Sequence, residues 1–225
     1  MRAVGRLIES SVGRKAWMAA SGVLLVAFLI GHMLGNLKAY QGPEKFDAYA
    51  EFLREVGAPI FGPGQLLWIA RLLLLLALGA HVVAAWQLAR QSRLARPTAY
   101  RRFDDQSMSY ASRTMRWGGV IVLAFVAYHL LHLTTGTLHP DFDPGSPYRN
   151  LVRGFRSWPT ALAYVLAMIP LGLHVYHGLW SSTQTLAVRN PTVLRVRRAA
   201  AFCIALGIVI GNVSIPVAVR SGLVG

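Results

Sequence analysis

The sequence predicts an all-α integral membrane protein, a single domain (1–225) built as a five-helix bundle with its N-terminus in the cytoplasm. Three observations predict it. Of the 225 residues 54% are hydrophobic and only 14% charged, and the apolar ones are gathered into charge-free runs of about the 20 residues needed to cross a bilayer. The net charge of +14 sits in the tail and the connections, where membrane topology uses it; no basic stripe interleaved with aromatics points to nucleic acid. Lysines and arginines counted on alternate sides put fifteen with the N-terminus and seven opposite, so the N-terminal side is cytoplasmic and the C-terminus outside.

Met1–Lys15 is basic and polar, with Arg2, Arg6, Arg14 and Lys15. The first span runs from about Trp17 to Leu37 without a charge. It exceeds the apolar region of a signal peptide, and HMLGNLK is no small-residue cleavage site, so it stays in the protein. Lys38–Gly64 is polar, and EKFDAYAEFLRE within it has the pattern of a short amphipathic surface helix. Pro59, Gly62, Pro63 and Gly64 then turn the chain back. The second span is about Leu66–Ala89, with Arg71 near enough to its start to snorkel toward the headgroups. A connection with seven arginines from Arg90 to Arg116 leads to the third span, Trp117 to about Leu138. The next stretch, HPDFDPGSPYRNLVRGFRSWP, is rich in Pro and Gly and reads as irregular. The fourth span runs from Pro159 to Val188, its hydrocarbon part ending near Trp180, and the fifth is about Ala199–Val219. The single cysteine, Cys203, excludes an internal disulfide and a CxxC metal site; it reads as a small apolar helix residue.

The chemistry of the chain lies in its histidines. An imidazole within a span is costly in hydrocarbon and marks a functional site unless a partner satisfies it. His32 lies in the first span, His81 in the second, His129 and His132 in the third, His174 and His177 in the fourth. His32 and His129 stand 6 and 9 residues from the outer ends of their spans, at Lys38 and Leu138. His81 and His174 stand 5 and 6 residues before Trp86 and Trp180, which mark the inner interface. At about 1.5 Å rise per residue the members of each pair share a depth: His32 with His129 in the outer half, His81 with His174 in the inner half. Gly31, Gly35, Gly79, Ala80, Gly172 and Gly178 leave room for a flat ring system close to the backbones. The pattern is that of bis-imidazole ligation of two b-type haems inside the bundle of the first four spans. A zinc site would gather its ligands in one cluster. A histidine proton relay in a transporter would bring intramembrane carboxylates, and the five spans contain none. Depth mildly favours His174 over His177 and does not separate His129 from His132. His132 and His177 read as hydrogen-bond partners of a haem propionate, a quinone or a neighbouring helix, and His139, in the outer loop, as solvated.

At these residues the chain resembles the cytochrome b membrane-anchor subunit of succinate:quinone oxidoreductases and fumarate reductases, in its single-chain, five-helix, di-haem form. The segments that carry the resemblance are SSVGRKAWMAASG, GHMLGNL, AHVVAAW, AYHLLH and HVYHGLW, in this order over nearly the whole chain. The resemblance implies His32 and His129 as iron ligands of an outer haem b and His81 and His174 of an inner one. Within it, His129 is preferred to His132, and Gly178-Leu179-Trp180 selects His174. It implies a flavoprotein subunit carrying FAD and the dicarboxylate site, and an iron–sulfur subunit docked on the cytoplasmic face of a bacterial-type inner membrane. This chain would then be the quinone-reactive subunit of a succinate dehydrogenase or fumarate reductase, exchanging electrons with membrane quinone, menaquinone being favoured over ubiquinone. A quinone site near the outer haem implies a proton-handling group after the first span, for which Glu44, Asp47 and Glu51 stand as candidates, with Tyr49 as a donor. Arg149 and Arg153 stand on the side of the outer haem propionates, and Arg14 and Lys15 on that of the inner ones. The basic inner connections suit subunit docking or anionic lipid. Two other readings stay open: a di-haem b protein of another system, b561-like or of formate-dehydrogenase type, and the proton-relay transporter.

Overall fold

Hydropathy marks where hydrocarbon begins, but hydrogen-bonding side chains mark where helices begin, and in this chain the two differ. The computed structural model describes residues 10–95, 110–184 and 190–225. Among them are seven α-helices and no strand: α1 (Ser11–Asn36), α2 (Pro43–Glu55), α3 (Gln65–Leu94), α4 (Tyr110–His129), α5 (Pro147–Arg156), α6 (Trp158–Gln184) and α7 (Pro191–Arg220). Five of them, α1, α3, α4, α6 and α7, are long and apolar enough to cross a bilayer. Helix α1 starts six residues before Trp17 because the Ser10 hydroxyl accepts the Gly13 N–H at 3.0 Å, satisfying a donor that the first turn leaves without a partner. Helix α7 starts eight residues before Ala199 for the same reason: Asn190 Oδ1 accepts the Thr192 N–H at 2.9 Å, and Pro191 occupies the first turn. Helix α4 passes into one π-helical turn, Leu130–Thr134, and ends there rather than at Leu138, since Gly136 turns the chain out with φ +74°. Residues 185–188 of the expected fourth span lie outside the described residues, as do Arg2, Arg6, Arg96, Arg101, Arg102 and Arg189 of the orientation count.

The surface helix expected within Lys38–Gly64 is α2. The stretch read as irregular is not so: it contains α5. Tyr148, Leu151, Val152 and Phe155 recur at i, i+3, i+4 and i+7 and are all buried. Pro147 opens that helix rather than breaking it, and Gly154 lets it lie against His132 and His139. Together α2 and α5 cap one end of the molecule. Asp47 Oδ1 accepts the Tyr148 N–H at 2.9 Å, Phe46 meets Tyr148 edge-on at 6.0 Å, and Arg54 donates to the Pro144 carbonyl at 3.1 Å. Beneath the cap Leu151, Phe155, Tyr164, Ile215 and Val219 form the main core.

Helix α6 lies along both α4 and α7, and α1 lies along α3. The diagonals α1–α4 and α3–α6 are not among the closely packed pairs. Leu72, Leu73, Leu75 and Leu76 of α3 are more than half exposed, a surface suited to acyl chains. Arginines stand over tryptophans at the helix ends: Arg71 over Trp68 at 4.9 Å, Arg90 over Trp86 at 5.9 Å and Arg220 over Trp158 at 4.3 Å, the pairing of aromatic and cation expected at a membrane interface. Replacing Phe155 by Ala should cost about 3–5 kcal/mol of stability, whereas Glu51→Gln on the exposed face of α2 should stay within about 0.5 kcal/mol; reversible unfolding in detergent micelles measures both.

Candidate functional site

Imidazoles span the two diagonals that the backbones leave open. His32 near the end of α1 and His129 at the end of α4 face each other with ring centroids 5.7 Å apart and planes at 80°. His81 of α3 and His174 of α6 stand 6.1 Å apart at 64°. Two bonds of about 2 Å from imidazole nitrogens to one metal, with ~1 Å from each nitrogen to its ring centre, call for ~6 Å between centroids. The angle between planes is free, because each ring has only to contain the bond axis. Both centroid separations therefore match a bis-imidazole clamp, and the helices do not pack closely across either diagonal.

The other ring nitrogens decide which lone pair is available. His81 Nδ1 lies 3.2 Å from the Met18 carbonyl and 3.2 Å from the Ser21 hydroxyl. A carbonyl only accepts, so the proton sits on Nδ1 and Nε2 keeps its lone pair for a metal. His129 Nδ1 lies 3.2 Å from the Tyr164 hydroxyl. His174 Nδ1 is buried and has no hydrogen-bond partner among the described residues.

The two tiers are built from one unit used twice. Gly22 of α1 is the seat of His81, where a Cβ would come 3.3 Å from its Cε1, and Gly119 of α4 is the seat of His174, at 3.4 Å. Gly22 precedes His32 by ten residues, and Gly119 precedes His129 by ten. At about 1.5 Å per residue, both helices set the tiers about 15 Å apart. The sequence repeats to match: GVLLVAFLIGH at 22–32 and GVIVLAFVAYH at 119–129, with GAHV at 79–82 and GLHV at 172–175 on the partner helices. Phe28 stacks on His32 at 5.3 Å and Phe125 lies beside His129 at 6.2 Å, each four residues before its histidine. This repeat is the signal that could have found Gly22, Gly119 and both phenylalanines, which depth and composition missed. Of the small residues read as room for a ring system, Gly31, Gly79 and Gly178 have no neighbour within 4 Å of a Cβ, and Ala80 is exposed. Gly35 and Gly172 do not serve: the Tyr49 ring fills the first and Val209 the second.

His139 is not solvated. It is 7% exposed, its Nε2–H donates to the Asn150 carbonyl at 2.9 Å, and its Nδ1 accepts the Asp141 N–H at 3.2 Å. Its ring stacks on His132 at 5.0 Å. His132 is 1% exposed, stacks on Tyr128 at 5.6 Å and lies 3.0 Å from the Tyr164 hydroxyl. His177 is half-buried, one turn beyond His174. Among the quinone-site candidates, Asp47 anchors α5, and Tyr49 packs on Gly35 with the Lys38 ammonium 5.3 Å from its ring. Glu44 and Glu51 are exposed. Arg149 pairs with Asp141 at 3.5 Å and Asp143 at 3.4 Å, and Arg153 pairs with Asp141, so the loop carboxylates already engage both. Arg14 is half-buried on α1. Lys15 lines a cavity of about 600 Å³ together with Met18, Leu88, Gln91, Ser92 and Ser181; Met18 thus links that cavity to His81.

Among the described residues no three His, Cys, Asp or Glu side chains converge as a metal site; the imidazoles at the diagonals come two by two. No protein-family model, curated protein or solved structure matches the chain. Glycine packing gives a contrast to test. A Cβ at Gly154 would lie 2.7 Å from His132 Cε1 and 3.3 Å from His139 Nε2, whereas one at Gly31 meets nothing. Gly154→Ala should destabilise by about 1–3 kcal/mol through overpacking, and Gly31→Ala should not; thermal unfolding of the two variants decides.

Proposed function

We propose that this chain is the di-haem cytochrome b membrane anchor of a succinate:quinone oxidoreductase or quinol:fumarate reductase, with one haem b held by His32 and His129 and a second by His81 and His174. The observation that carries the reading is the meeting of imidazoles in two pairs, 5.7 and 6.1 Å apart, across the two helix diagonals that do not pack closely. When bound there, the haems supply one-electron chemistry between an iron–sulfur partner and a membrane quinone.

The chain's own residues orient and shield that site. The Met18 carbonyl and Ser21 hydroxyl hold His81 in the tautomer that ligates. Gly22 and Gly119 let the imidazoles of the second tier lie against neighbouring helices, and Phe28 and Phe125 cover those of the first. Lys15, which lines the cavity beside Met18, would offer a cation to a carboxylate of a group held by His81 and His174. The excess of arginine and lysine on the N-terminal side supports a cytoplasmic N-terminus. The His81–His174 tier then faces the flavoprotein and iron–sulfur subunits, and the α2–α5 cap lies at the outer side of a bacterial-type inner membrane. Quinone, with menaquinone favoured, would exchange electrons near the first tier beneath that cap.

A reduced-minus-oxidised spectrum of the purified complex should show a b-type α-band from two centres, with a flavoprotein and an iron–sulfur protein copurifying. Ala at His32 or His129 should remove one centre, leaving one haem per chain of two, and Ala at His81 or His174 the other. Loss of the same centre in all four variants contradicts the pairing, and absence of any b-type band sinks the reading. A reporter fused after Gly225 should be active outside the cytoplasm; activity inside would reverse the orientation.

A further inference from the structure

We infer that Tyr164 is a positioning residue for His129: its hydroxyl holds the proton on His129 Nδ1 and so lowers the reduction potential of the centre that His32 and His129 clamp. The inference rests on the haem reading above and extends it to a side chain that no sequence motif marks. Tyr164 is 8% exposed, and its ring meets Phe125 at 5.0 Å and Phe155 at 4.8 Å, both edge-on. Its hydroxyl is shared between two imidazoles, 3.2 Å from His129 Nδ1 and 3.0 Å from His132 Nδ1.

A phenol has one proton to give, so at most one of the two nitrogens accepts from it; the arrangement that uses this proton between them has one nitrogen donating to the oxygen and the other accepting. A histidine that binds iron through Nε2 carries its proton on Nδ1. His129 is therefore the donor, Tyr164 donates to His132 Nδ1, and the proton of His132 sits on Nε2. That nitrogen is buried with no hydrogen-bond partner among the described residues, facing Gly154, where a Cβ would lie 3.0 Å away. His139 closes the chain of donors: its own two nitrogens are taken by the Asn150 carbonyl and the Asp141 N–H, so it meets His132 only through the ring face. Donation runs in one direction, from His129 to Tyr164 to His132. An acceptor on Nδ1–H makes the imidazole a more basic ligand and favours the oxidised metal.

The two halves of the repeat differ here. Aligning His174 with His81 puts Arg71 at the position of Tyr164 and Gly35 at that of His132 when His129 is set on His32. The shared hydroxyl is thus an addition to one tier and no requirement of the repeated fold. Redox titration of both centres in the intact complex tests it, the first-tier centre being the one that His32→Ala removes. Tyr164→Phe keeps the ring packing and removes the hydroxyl. It should retain both haems, raise the midpoint potential of the first-tier centre and leave the other unmoved. His132→Leu should raise the same potential by less, since Tyr164 can still accept from His129. Should Tyr164→Phe fail to fold, the double variant Tyr164→Phe/His132→Leu, which leaves no orphaned Nδ1 at position 132, carries the same expectation. An unmoved first-tier potential, or equal shifts in both centres, overturns this assignment alone. A wild-type complex without b-type centres overturns the haem reading and this assignment with it.

Discussion

An imidazole in hydrocarbon is costly unless its polar nitrogens find partners, and this constraint organises the molecule. His81 turns to the Met18 carbonyl and Ser21, His129 and His132 turn to one tyrosine hydroxyl, and His139 is held by Asn150 and Asp141. In each of the first two cases the satisfied nitrogen is Nδ1, which leaves Nε2 to point elsewhere. Where the rings of His32 and His129, and of His81 and His174, meet across α1–α4 and α3–α6, the helices do not pack closely. In two of the closely packed pairs, α1 with α3 and α4 with α6, a glycine seats an imidazole of the neighbouring helix.

The same unit serves both tiers, yet the two ends of the bundle are built differently. At one end Lys15, Gln91 and Ser181 surround an open cavity. At the other, α2 and α5 close over the first tier, and the π-helical turn at Leu130–Thr134, with the Thr135 N–H reaching back to the Leu130 carbonyl at 2.9 Å, carries His132 against Tyr164 and Gly154. Single π turns within α-helices often mark functional positions, and this one lies between the first-tier imidazole and the cap.

Much of this was legible in the sequence. Charge-free runs marked the five spans, and residues counted from Lys38, Trp86, Leu138 and Trp180 put His32 level with His129 and His81 level with His174, the rings that meet in the structure. The helix starts were less legible, because Ser10 and Asn190 cap helices whose first turns are polar and fall outside the hydrocarbon. Helix α5 is hard to read because Pro147 and Gly154 carry the composition of a breaker, although its apolar residues keep a helical period. A single glycine in an apolar run carries no sign of what rests on it, so Gly22 and Gly119 are marked only by the repeat of GVLLVAFLIGH in GVIVLAFVAYH.

By itself the sequence determined what depends on composition and distance along one helix: the spans, the amphipathic α2, the depth of each imidazole and the bias of charge toward one side. Hydrophobicity and a rise of about 1.5 Å per residue are local quantities, readable from one segment at a time. The tertiary structure decided what depends on which face meets which. It buried His139, engaged Arg149 and Arg153 with Asp141 and Asp143, gave Asp47 to the start of α5, and set Tyr164 between His129 and His132. A hydrogen bond between side chains 32 or 35 residues apart exists only once two helices have chosen their rotation about one another, and no single segment holds that information.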